Sequence, residues 1–243
     1  LLLFFSYIPF VFLSPSINLK DGKKAYIYIR PSDSFAEVSE ELKSKADLSR
    51  WNAFIRLSNA LNYDKQIRAG RYEIHAGMSY KSFFDHIKSN REAPLRLTFN
   101  NIRTKEQLAG RLSVQLMSDS TRIINLLNDN DFITSNGLTP ETATIYFIPN
   151  TYEVYWTTTP EKLFDRMERE YNKFWTEERR AKANAIALTP AEVSTLASIV
   201  EEETNKRSER PIVAGLYINR LKIGMPLQAD PTVKFAVNDF SIT

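Results

Sequence analysis

Residues 189–235, TPAEVSTLASIVEEETNKRSERPIVAGLYINRLKIGMPLQADPTVKF, decide how the chain is read. Thr189, Pro190 and Glu192 make the strongest helix start in the sequence: a Thr N-cap, Pro at the first helical position and Glu at the third. At about 100° per residue, Val193, Leu196, Ala197 and Val200 form one apolar stripe. The helix closes on three consecutive glutamates. Glu202 points opposite the stripe, while Glu201 and Glu203 flank it, Glu203 nearer the apolar direction once Ile199 is counted. A carboxyl half-sunk beside an apolar face, at the negative end of a helix dipole, is pushed toward its protonated form, as a general acid requires. Lys206, Arg207 and Arg210 oppose that shift. A Glu-rich helix end is more often a solvated surface, and on chemistry alone that reading leads.

Downstream, Gly224-Met225-Pro226 opens a polar loop carrying Gln228 and Asp230, with Asn219 and Arg220 at the end of the preceding helix. Such groups can hydrogen-bond the acetamido and hydroxyl groups of a glycan, and Tyr217 or Tyr152 offers a stacking face. Taken singly, each has a plainer explanation: Asp230 before Pro231 is a common turn residue, and Arg220 suits Glu209 or a helix end.

Upstream, Thr159-Pro160 predicts one long amphipathic helix to about Asn184, with Leu163, Met167, Tyr171 and Phe174 on one face. Residues 145–156, IYFIPNTYEVYW, are β-prone and broken by Pro149. Ser120 to Leu127 predicts a short helix, Thr104 with Gln107 caps another running to about Leu116, and Pro94 to Phe99 predicts a strand. Nearer the start, AYIYIR (25–30) alternates as a strand, and Ser34 with Glu37 forms a capping box. A helical period covers 48–61, GRYEI (70–74) alternates again, and a helix follows from Tyr80. The order is strand, helix, helix, strand, helix, and the class is α+β.

The chain has 243 residues, 43% of them hydrophobic, which is enough for a real core. Thirty-two basic against 29 acidic residues, a net charge of +3, argues against nucleic acid as the main partner. Zero cysteines exclude disulfides, thiol catalysis and thiolate-bound metals, and two histidines, His75 and His86, exclude a His-rich metal site. Both histidines, and Trp51, Trp156 and Trp175, read as structural residues. An enzyme built this way runs on carboxylates, with no metal and no cofactor. Residues 1–13, LLLFFSYIPFVFL, carry no charge and begin without Met. A membrane span takes about 20 apolar residues, so this run reads as the outer half of an anchor, with residues 1–19 as its remnant.

The segment from Leu196 to Phe235 closely resembles the signature of the MltG-type (YceG-like) endolytic murein transglycosylases. Those carry A-S-I-x-E-x-E-T, then E-R, then N-R-L-x-I-G-M-x-L-Q-x-D-P-T-V. The matching positions here are Ala197 to Ile199, Glu201, Glu203, Thr204, Glu209, Arg210, Asn219 to Leu221, Ile223 to Met225, Leu227, Gln228 and Asp230 to Val233. FIPNTYEVYW is similar to the family's F-x-P-D-T-Y segment, with Asn150 in place of Asp. Gly70-Arg71-Tyr72 followed by Gly77-Met78-Ser79 is similar to its LysM-like module. Two features depart: Asn100 to Thr104 stand where the family usually has E-G-x-T, and the family continues past Asp-Pro-Thr-Val with further catalytic domain that this chain lacks.

The resemblance implies a LysM-like β/α module over 24–93 and a mostly helical α+β catalytic domain over 94–243, incomplete at its C-terminal end. It implies cleavage of the β-1,4 bond between N-acetylmuramic acid and N-acetylglucosamine in peptidoglycan strands, leaving 1,6-anhydro ends. Glu203 is the implied acid and base, with Glu201 the runner-up. Gln228, Asp230, Asn219, Tyr217 and Glu201 are the implied substrate-binding residues. Its setting is the outer side of the cytoplasmic membrane, single-pass, with peptidoglycan synthases as candidate partners. The alternative is a membrane-anchored protein that binds peptidoglycan without cutting it. A pyridoxal-phosphate lyase, a label this family has sometimes carried, lacks a matching Schiff-base lysine and phosphate-cradling loop here.

Overall fold

The capping box read at Ser34 and Glu37 is formed in a computed structural model of the protein, which describes residues 13–63, 66–237 and 239–241. The fold is α+β, with six short strands and eleven helices among the described residues. The chain divides into two units. The first takes residues up to Phe99 together with 110–120 and 151–159, and the second takes 100–109, 121–150 and 160–243.

In the first unit, strands β1 (Ile17–Leu19), β2 (Lys24–Ile29), β3 (Ala46–Leu48) and β4 (Gly70–His75) alternate with helices α1 (Phe35–Lys45), α2 (Trp51–Ala60) and α3 (Tyr80–Lys88). β2 pairs antiparallel with β4 from Lys24↔His75 to Ile29↔Gly70, which puts Ile27, Ile29, Tyr72 and Ile74 inside. Phe54 of α2 centres the core, stacked on Phe35, Trp51 and Phe84 and edge-on to Tyr80. The succession β2, α1, α2, β4, α3 is the one read from the sequence, and β1 and β3 are added to it.

β1 is new, because its three residues are too few to show a period. It pairs antiparallel with β3, and Ile17 is fully buried. Residues 17–19 therefore belong to the folded unit and not to an anchor remnant. The apolar run over residues 1–12 lies outside the described residues. No single helix among those described is long and apolar enough to cross a membrane.

The same unit holds β5 (Leu95–Phe99) and β6 (Asn150–Val154), which pair with each other. Gln115 extends this ladder with a side chain that mimics a strand: its amide oxygen accepts from Thr98 N–H and its amide nitrogen donates to Thr98 C=O, both at 3.0 Å. Glu92 accepts from the Thr157 N–H at 3.0 Å and the Thr157 hydroxyl at 2.6 Å. β6 is shorter than the β-prone run suggested, since Ile145 to Phe147 are held in turns ahead of Pro149.

Helix α4 (Lys105–Ser113) starts at the Thr104 cap, where the Thr104 hydroxyl accepts from the Gln107 N–H at 3.2 Å, and stops three residues before the expected Leu116. The second unit holds the start of α4, α5 (Ser120–Leu127) from Thr121 on, α6 (Asn130–Ser135), α7 (Pro160–Phe174), α8 (Glu177–Ala185), α9 (Pro190–Glu203), α10 (Arg210–Lys222) and α11 (Asp230–Ala236). Phe164 of α7 centres its aromatic core, edge-on to Phe132, Tyr146 and Phe147.

The single helix expected over 160–184 is two helices. Thr176 takes extended backbone (φ −63°, ψ 162°), and its hydroxyl accepts from the Arg179 N–H at 3.3 Å. Arg180 donates to the Trp175 carbonyl at 3.0 Å, closing α7. Trp175 is buried in place of Phe174, which is 40% exposed.

Candidate functional site

Helix α9 is set by its first turn. Thr189 N–H donates to the Glu192 carboxylate at 2.7 Å and Glu192 N–H donates back to the Thr189 hydroxyl at 3.2 Å. The Thr189 N–H and hydroxyl, both donating to the Glu192 carboxylate, hold it below the usual range. Leu196 and Val200 are buried against Tyr217 of α10 and Ala229, with Ile199, Val213, Ile218 and Leu227 at the edge of the cluster. Ala197, expected on the stripe, faces solvent, and the half-buried Ile199 takes its share of the packing.

All three glutamates at the end of α9 are exposed. This corrects the expectation that Glu203 is half-sunk in a cleft. The helix ends at Glu203 and Thr204 turns to extended backbone (φ −144°, ψ 132°), so the last turn stands at the rim of the apolar cluster. Glu202, expected free in solvent, is gripped by Arg103, whose Nε and Nη2 donate to its two oxygens at 3.1 and 2.6 Å. Glu201 pairs with Arg210 at 3.6 Å. Glu203 has no ion-pair partner among the described residues.

Tyr217 is 3% exposed, so it is not the sugar-stacking face considered above. Its hydroxyl is pushed above its ordinary range first by burial, then by the nearby Glu203 carboxylate. The nearby Asp230 charge adds to the shift and Arg220 opposes it. Glu203, Tyr217, Arg220 and Asp230 thus form one electrostatic group. Tyr152, the other stacking candidate, is also buried, stacked on Phe99 at 5.5 Å.

Asn219 and Gln228 are exposed, and no hydrogen bond joins their side chains to Glu203 among the described residues. Gln228 sits at φ 51°, the left-handed region that costs a non-glycine residue energy. Arg220 does not reach Glu209; it donates to the Leu227 carbonyl just before Gln228. Glu209 instead accepts from the Thr204 hydroxyl at 2.7 Å and pairs with Lys206 at 3.0 Å, and these keep its carboxyl below the usual range. Arg103 was not found from the sequence: 99 positions separate it from Glu202, and no local pattern links them. Among the described residues no group of three or more His, Asp or Glu side chains is arranged to hold a metal.

The chain belongs to the YceG-like family, whose model matches residues 27–243. It is 25% identical over 240 residues to the endolytic murein transglycosylase of Bacillus subtilis (strain 168), covering 89% of this chain and 64% of that protein. It is 35% identical over 91 residues to the endolytic murein transglycosylase of Streptococcus pneumoniae serotype 2, covering 37% of this chain and 16% of that one. This chain therefore spans under two thirds of the length of these relatives. The crystal structure of a YceG-like protein from Listeria monocytogenes shares the fold, with a TM-score of 0.57 and 21% identity over 91% of this chain and 78% of that one.

Proposed function

We propose that the protein is a lytic transglycosylase of peptidoglycan that cuts the β-1,4 bond between N-acetylmuramic acid and N-acetylglucosamine within glycan strands. Family membership and the names of the relatives support the class. One observation supports the choice of residue: of the three glutamates ending α9, two are taken by arginines and Glu203 is not. An arginine partner favours the charged carboxylate, and a group that must carry a proton to a leaving oxygen works better without one.

In this mechanism the Glu203 carboxyl protonates the glycosidic oxygen as the bond to C1 of the muramic acid breaks. The resulting carboxylate takes the proton of the C6 hydroxyl, whose oxygen attacks C1 and closes the 1,6-anhydro ring. No water is consumed, so one carboxyl serves where hydrolytic glycosidases use two. The Tyr217 hydroxyl steadies the carboxylate, and Asp230, Gln228 and Asn219 supply polar groups along the path of the strand. The site lies outside the cytoplasmic membrane in this reading, with the apolar N-terminal run as anchor and peptidoglycan synthases as the source of strands.

The test compares glycan products from the full-length parent and Glu203→Gln by mass spectrometry, with a melting curve for each. General acid–base groups contribute about 10²–10⁴-fold, and one group serving both half-steps puts the loss at the upper end with melting unchanged. Anhydro ends released by the Gln variant at the parent rate overturn the residue assignment. A parent that binds strands without cutting them favours the binding-protein reading.

A further inference from the structure

We propose that Arg103 is a positioning residue: through Glu202 it fixes the last turn of α9, and so the direction in which Glu203 leaves the helix. The inference rests on the reading of Glu203 above, and it starts from how weakly that turn is otherwise closed. The last carbonyls of a helix have no partners within it. The backbone bond closing α9 runs from Thr204 N–H to Val200 C=O at 3.3 Å, which is long. Glu201 to Glu203 are exposed, so packing does little to hold them.

Arg103 itself is well held. Its N–H donates to the Gln107 side chain at 2.9 Å, inside the capped first turn of α4, and its guanidinium lies 5.2 Å from the centre of the Phe240 ring. Asn101, two residues before it, takes φ 50° and turns the chain toward α4. The two nitrogens that meet Glu202 form the planar fork that matches a carboxylate, fixing orientation as well as distance. Arg103 and Glu202 side chains are 41% and 34% exposed. Pairs so open to solvent add little stability, so the role is orientation of the turn.

The experiment uses the full-length protein with Arg103→Ala, Arg103→Lys, Arg103→Glu, Glu202→Arg and the swapped pair Arg103→Glu/Glu202→Arg. Amide hydrogen exchange is read at residues 201–204, beside melting temperature and the kcat and KM of strand cleavage. In Arg103→Ala, exchange at these amides rises about two- to fivefold, as loss of a solvent-facing pair allows, while melting barely moves. kcat falls and KM holds; Arg103→Lys, which keeps the charge but loses the fork, recovers part of kcat. The swapped pair exchanges more slowly than either single reversal. Unchanged exchange in Arg103→Ala, or a swap no better than its single variants, overturns the proposal. A parent without lytic activity overturns the function proposed above, and the exchange readings still decide the role of Arg103.

Discussion

The charge of the exposed Glu203 carboxylate acts on the buried Tyr217 hydroxyl across the rim of a small apolar cluster. Burial and the Glu203 and Asp230 charges raise the tyrosine's pKa. Removing one of those charges lowers it again. In Glu203→Gln, Tyr217 should therefore ionise at lower pH than in the parent, seen as a difference in tyrosinate absorbance. An identical alkaline titration in the two proteins counts against the pairing.

Thr189→Ala removes the hydroxyl's part of the box that starts α9 and keeps the backbone N–H that donates to Glu192. Loss of a Thr N-cap typically costs about 1 kcal/mol. Because the Glu192 carboxyl lies below its ordinary value near 4.5 in the folded protein, its contribution is complete above that pH and is lost as pH falls. The parent and Thr189→Ala should thus differ most in denaturant midpoint at neutral pH, and the gap should narrow in acid to the part carried by the Glu192 N–H bond to the hydroxyl. A constant gap down through pH 4 would contradict this.

Gly70 lies opposite Ile29 in the β2–β4 ladder. A Cβ there would stand 2.8 Å from two carbons of the Tyr72 ring, which is itself fully buried two residues along the same strand. The ring has no room to yield, so Gly70→Ala should cost about 1–3 kcal/mol, the range of an overpacked core. A denaturant midpoint at or above that of the parent would show that the ring moves aside.

Burial pushes the hydroxyls of Tyr72 and Tyr80 up to about 12, and that of Tyr63 higher still. The folded values are raised above the ordinary 10, so the stability these tyrosines add is complete below pH 10 and is lost as pH rises through 12. The first unit should therefore melt progressively earlier over about pH 10 to 12. Tyr80→Phe, which also gives up a 2.5 Å bond to the Ser49 carbonyl, should flatten that decline. An equally steep decline in the variant would remove Tyr80 from the account.

What the sequence made legible is local and periodic. The capping boxes at Ser34 and Thr189, the alternation of β2 and β4, and the start of α4 at Thr104 each depend on residues within a few positions of one another. The break at Thr176 was hidden because the apolar spacing of Leu163, Met167 and Tyr171 runs smoothly into Trp175, and one capping threonine is a weak signal against it. At the site, angular position on α9 gave the right side for Glu203 but not its exposure, which depends on where the helix stops. The Arg103–Glu202 pair and the burial of Tyr217 come from segments far apart in the chain, beyond the reach of any periodicity.

The chain passes from one unit to the other five times, at residues 99, 109, 120, 150 and 159. On a ribosome, the core around Phe54 can assemble once α3 has emerged, but the β5 edge has to wait. Its partner β6 and the Thr157 groups that satisfy Glu92 are made some sixty residues later, after most of α4 to α6. A cut after residue 93 would separate Glu92 from the Thr157 groups that satisfy it. The two units are thus inherited and synthesised as one block, and neither is a cassette that recombination can move intact.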